Sequence, residues 1–112
     1  MANALTDVET TFTTLDANYN LLYAACKTDT ERNELGVEYG RAMAAYQKCV
    51  NQFLSDDDAA IAILSAELKT ANDKVAKAVV QMGNMSHVID EITEAVDIGE
   101  KLVSFAVPGL KL

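Results

Sequence analysis

The sequence predicts an all-α protein, most simply an up-down-up-down four-helix bundle. Three observations predict it. Apolar residues recur at alternating spacings of three and four along most of the chain, the rhythm of helices whose seams face other helices. Helix breakers are scarce: Pro occurs once, at position 108, and Gly five times in 112 residues. No alternating polar–apolar run flanked by a turn pair such as Asn-Gly marks a hairpin of strands.

The first segment, about residues 7–27, has the apolar stripe Val8, Phe12, Leu15, Tyr19, Leu22, Cys26. Thr6 and Glu9 have capping-box spacing, in which hydroxyl and carboxylate each satisfy an orphan backbone N–H. The second, about 31–54, follows another such pair, Thr28 and Glu31. Its stripe is Leu35, Tyr39, Ala42, Tyr46, Cys49, Phe53, widened by Met43, Val50 and Leu54. The nine-residue gap from Cys26 to Leu35 breaks the heptad phase and places a turn there.

The third segment, about 57–82, follows Ser55-Asp56-Asp57-Asp58. Ser is a good N-cap, and carboxylates in a first turn suit the positive end of the helix dipole. Its stripe runs Ile61, Leu64, Leu68, Ala71, Val75, Ala78, Met82. The fourth, about 87–106, has Met85, Ile89, Ile92, Val96, Gly99, Val103, Ala106 and stops before Pro108-Gly109.

The rhythm from Ile61 to Ala106 never loses phase, so the rival architecture is a long antiparallel helical hairpin that dimerises. Its C-terminal helix would be roughly 75 Å long at 1.5 Å per residue. Met82-Gly83-Asn84-Met85-Ser86 argues for a break instead, with Gly83 suited to a helix end and Ser86 to an N-cap. Breaks near 29, 55 and 84 divide the chain into similar quarters, as a bundle of four short-looped helices requires. The whole chain, 1–112, then reads as a single helical domain, since this length suits one core.

Charge narrows the function. The net charge is −8, split −3 over residues 1–55 (four basic, seven acidic) and −5 over 56–112 (five basic, ten acidic). Nucleic-acid binding needs a basic face to neutralise phosphates, and an anionic membrane surface attracts the same kind of face; neither partner is expected. The N-terminal residues lack the basic and apolar regions of a secretory signal, and no apolar run approaches the 20 or so residues of a membrane span. A cytoplasmic location is the expectation.

Cys26 and Cys49 lie on apolar stripes, separated by about 28 Å if the intervening helix is straight, too far for a disulfide. They read as small buried hydrophobes of a reducing compartment. His87, the sole histidine, is followed on one helix side by Asp90, Glu91 and Glu94, which reads as a solvated acidic face. A bundle puts Cys26 and His87 at the same end, which keeps a small enzyme using a Cys26/His87 nucleophilic pair as one alternative. Asp56, Asp58 and Glu67 match three positions of a calcium loop, but Ile61 stands where its Gly is required. No catalytic, cofactor or metal residues are assigned, and no cofactor is expected.

Tyr39 to Tyr46, Tyr-Gly-Arg-Ala-Met-Ala-Ala-Tyr, resembles the first helix of a tetratricopeptide module over those eight residues. No copy follows at the spacing of about 34 residues that such arrays need.

The expected function is protein–protein interaction or self-assembly (an adaptor, small chaperone or structural subunit) acting through apolar helix faces. A helical-bundle binder of a small hydrophobic ligand or haem is the alternative of another class. A homo-oligomer is expected, with residues 95–107 in the contact and Ile92, Val96, Leu102, Val103, Phe105 and Ala106 as the candidate interface.

Overall fold

The computed structural model describes residues 4–53, 58–105 and 107–108, with side chains described for 4–50 and 58–105. It contains four helices: α1 (Ala4–Ala25), α2 (Asp29–Asn51), α3 (Ala59–Gln81) and α4 (Met85–Val103). They form a four-helix bundle about 49 Å long. The single helix over 57–106 is excluded: α3 ends at Gln81 and α4 begins at Met85. Among the described residues the helices are accompanied by a two-residue antiparallel pair, β1 (Gln52–Phe53) with β2 (Val107–Pro108), in the register Gln52↔Pro108 and Phe53↔Val107.

Chain directions alternate, but the ring order does not follow the sequence. α1 packs on α2 and α3, and α4 packs on α2 and α3, while α1 and α4 also touch across the middle. The order around the bundle is therefore α1–α2–α4–α3. Two antiparallel hairpins, α1–α2 and α3–α4, lie side by side, with α2 and α3 at opposite corners of the bundle. As a result α1 runs parallel to α3, and α2 parallel to α4.

The caps differ from the sequence reading at three of four starts. α1 begins before Thr6, so Thr6 and Glu9 are not its cap; the Thr6 carbonyl accepts from Thr10 Oγ1 at 2.8 Å inside the helix. At α2 the Thr28 hydroxyl accepts from the Glu31 N–H at 3.1 Å, as expected, whereas the Glu31 carboxylate reaches one residue further back, to the Lys27 N–H at 2.8 Å. Asp58 caps α3, accepting from Ala60 and Ile61; Ser55 lies outside the described residues. Asn84, not Ser86, caps α4: its Oδ1 accepts from the Ser86 N–H at 2.9 Å. Asn and Ser are comparably good caps, and the Asn amide oxygen reaches the second and third N–H groups of this helix.

Met82 rather than Gly83 takes the left-handed conformation that ends α3, with φ 46°. Its half-buried side chain packs against the core, which holds the left-handed turn one residue earlier than a glycine would place it.

The core is made by the predicted stripes. Leu15, Leu22, Leu35, Leu68, Ile89 and Ile92 are fully buried, and so is Leu102 beside the α4 stripe. Burial of such side chains contributes roughly 1.5–3 kcal/mol each. The interior also takes in residues the stripes missed: Ala45, Val79, Val88 and Ala95, and the polar Asp7, Thr11, Glu38, Ser65 and Asn72.

Candidate functional site

The α1–α2 seam carries most of the aromatic side chains. Phe12 and Tyr19 of α1 and Tyr39 and Tyr46 of α2 stand on the predicted stripes, half-buried against the core, and the antiparallel register interleaves them. Phe12 stacks on Tyr46 with ring centres 5.6 Å apart and planes 10° apart. Tyr39 contacts Phe12 at 5.7 Å and Tyr19 at 4.8 Å, and Tyr19 contacts Tyr23 at 6.1 Å. Tilted and offset arrangements suit the ring quadrupoles.

Each central phenol is tied to a carboxylate on α1. Tyr39 donates to Asp16 at 2.7 Å and Tyr46 to Glu9 at 3.1 Å. Those hydrogen bonds, with the neighbouring negative charge, hold both phenols above their ordinary pKa. The guanidinium of Arg32 lies over the Tyr23 ring at 6.0 Å. The register that sets Glu9 beside Tyr46 brings Leu5 level with Val50, both of them exposed. A half-buried aromatic stripe with exposed apolar ends and an acidic rim therefore runs along this face. Of these residues the sequence places Tyr19, Tyr39 and Tyr46 on the apolar stripes; it does not assign Asp16 and Glu9 as partners of their hydroxyls.

On the α2–α4 face Arg41 gathers three carboxylates. It pairs with Glu38 through two bonds of 2.8 and 2.9 Å, with Asp97 at 2.6 Å, and with Glu100, to which Nε donates at 3.0 Å. Hydrogen bonds to Glu100 and Asp97 push the Arg41 pKa up despite partial burial. Glu38 is buried, and burial raises its carboxyl against the lowering effect of Arg41.

Between α1 and α3 lies a buried polar group. The Asp7 carboxylate accepts from Ser65 and from Lys69 at 2.6 Å, while the Asp7 carbonyl accepts from the Asn72 amide at 3.0 Å. Thr11 donates to Asn72 at 2.6 Å. This arrangement satisfies polar atoms and fixes the parallel register of two helices; it presents no unpaired reactive group.

The cysteines are free and buried. Burial raises the Cys26 thiol pKa, with Glu31 adding and Arg32 opposing, and pushes Cys49 up to about 11. Cys26 Sγ bonds to the Leu22 carbonyl at 3.4 Å. The His87 ring lies instead 3.5 Å from Glu91. Among the described residues no group of three His, Cys, Asp or Glu side chains is placed to hold a metal ion, and no helix is long and apolar enough to cross a membrane.

The residues assigned to a subunit contact fall elsewhere. Ile92, Val96, Leu102 and Val103 are buried inside the bundle, where they serve intramolecular packing. Phe105 is exposed at 45%, and Ala106 lies outside the described residues. The sequence reading put four helices on similar seams but could not foresee that α4 touches all three others, α1 included, and so has few apolar residues to spare. Exposed apolar side chains lie on α1 and α2 (Leu5, Leu21, Tyr23, Val37, Val50) and on α3 (Ile63, Val80), none of which the sequence assigns to a contact. Compared with family models, with curated proteins and with solved structures, the chain matches none of them.

Proposed function

We propose that the chain is a protein–protein interaction module that engages its partner through the α1–α2 face. One observation carries this reading: the aromatic side chains of the molecule concentrate on that seam, half-buried, with exposed Leu5, Val50 and Tyr23 beside them. Binding interfaces are enriched in Tyr and Phe and centre on partly sunken aromatic anchors. A rim of carboxylates around such a patch supplies orientation rather than affinity. A homo-oligomer remains the self-assembly form of the same reading, with its contact moved from residues 95–107 to this face. The acidic charge and the expected cytoplasmic location suit a soluble adaptor.

Photo-crosslinking tests the proposal. A benzophenone side chain replacing Tyr23 is expected to give a discrete adduct in the native cell, and the same group at Asp90 on α4 none. A product near twice 12.1 kDa identifies a second copy as the occupant. Absence of any adduct from position 23, with adducts from position 90, moves the functional surface off α1–α2.

A further inference from the structure

Two glycines on α2 are unexplained by the packing of the chain itself. Gly36 and Gly40 stand one turn apart in the middle of a 23-residue helix. Interior helix glycines are destabilising relative to Ala, so a helix keeps them where a Cβ would be in the way. Here it would not. A Cβ on Gly36 would meet only the Tyr19 hydroxyl at 3.7 Å, an ordinary contact, and a Cβ on Gly40 would meet nothing within 4 Å. The Tyr19 contact places this pair at the edge of the aromatic seam. The omitted side chains leave a shallow saddle where another backbone can approach closely.

The α1 side of this face is acidic: α1 carries no Lys or Arg over Ala4–Ala25, and with Asp7 buried against Lys69 of α3, its carboxylates toward α2 are Glu9 and Asp16. Glu9 and Asp16 flank the rings of Tyr46 and Tyr39. The chain already holds one cation against this seam, Arg32 over Tyr23, in the geometry of a cation–π contact. The seam from Leu5 to Tyr23 is about 27 Å long, the length of an amphipathic helix of about 18 residues.

We infer that the α1–α2 face is a docking site for a basic amphipathic helix of a partner protein, whose apolar stripe covers the aromatic seam and whose backbone crosses the Gly36–Gly40 saddle. This rests on the proposed interaction role and adds the chemistry of the partner. Lys or Arg beside its apolar stripe meets Glu9 and Asp16 and the faces of the tyrosines. A second copy is the poorer occupant, because each copy brings a net charge of −8 and the acidic rims would oppose one another.

The probe is an 18-residue peptide of Leu and Lys in helical heptads, compared with its Leu/Glu counterpart, titrated into the intact chain and followed by tyrosine fluorescence. Micromolar binding of the Lys peptide and at least tenfold weaker binding of the Glu peptide are expected. Gly40→Leu is expected to raise the thermal midpoint and weaken binding at least tenfold, a combination that a purely structural glycine does not give. Glu9→Lys with Asp16→Lys is expected to weaken binding at least tenfold, and Asp90→Lys with Glu94→Lys, on α4, less than threefold. Equal effects of the two charge reversals, or unchanged binding to Gly40→Leu, overturn the inference. Equal binding of both peptides overturns the basic partner while leaving the interaction face standing, and a crosslinking failure at position 23 removes the face itself.

Discussion

Thr11 and Asn72, 61 residues apart in sequence, share a hydrogen bond of 2.6 Å across the α1–α3 interface. The same Asn72 amide donates to the Asp7 carbonyl, so one side chain spans two turns of the neighbouring helix. Thr11→Val is expected to lower stability by about 1–2 kcal/mol, because it leaves the buried Asn72 oxygen without its donor. Thr11→Val combined with Asn72→Leu is expected to cost less than the sum of the two single changes. Urea unfolding of the four proteins measures the coupling; strict additivity contradicts it.

Arg41→Met is expected to destabilise the chain at pH 7 by about 1–3 kcal/mol, between the values typical of exposed and buried ion pairs. Three carboxylates lose their shared cation, and Glu38 is left buried with its charge. Burial raises the Glu38 carboxyl above its ordinary value in the folded chain. Its favourable contribution is therefore fully present below the unfolded-state pKa and is lost as pH rises through the raised one. Removing Arg41 removes an influence that lowers this pKa, so the gap between variant and parent should shrink on going from pH 7 to pH 4. Unfolding midpoints at the two values check it.

Both thiols should resist alkylation in the folded state. Burial holds Cys26 and Cys49 above the ordinary thiol range, Cys49 at about 11, and the thiolate is the reactive form. Labelling with iodoacetamide at pH 8 is expected to be slow for both and fast after denaturation. Cys→Ala at either position should cost on the order of 1 kcal/mol, and reducing agent should leave the fold unchanged.

Asn84→Ala should cost about 1 kcal/mol, the value of a lost N-cap, whereas Ser86→Ala should cost a few tenths at most. Thermal denaturation separates the two, and a larger effect at Ser86 would reverse the cap assignment.

Val103→Glu is expected to lower the stability of the single chain by several kcal/mol, because it places a carboxylate among buried side chains. The readout is the unfolding midpoint at low micromolar concentration, where a purely intermolecular role for Val103 would leave the midpoint unmoved.

The helices and their inner faces were legible because the three–four rhythm is set by the same burial that builds the core. Leu15, Leu35, Leu68 and Ile92 stand on predicted stripes and are all fully buried. The ring order was not legible, since periodicity says which face is covered and not by which helix. Asp7 and Glu38 were invisible for the opposite reason: a charged residue beside a stripe reads as solvated, and only the partners Ser65, Lys69 and Arg41 reveal otherwise. The seam tyrosines were legible as residues, but Asp16 and Glu9 acquire a role only when the second helix folds back. Gly36 and Gly40 gave no signal until the space around them could be measured.

The placement of α2 and α3 at opposite corners has a kinetic side. Side-chain hydrogen bonds within α1–α2 link residues 23 and 37 apart, whereas those between hairpins link residues 56 to 65 apart. Closing the longer loops costs more chain entropy and is rewarded only once both partners are formed. Each hairpin can therefore assemble from nearby sequence, and their docking comes last. Changes at Phe12 or Tyr46 should then slow refolding, while changes at Asn72 or Arg41 should mainly speed unfolding.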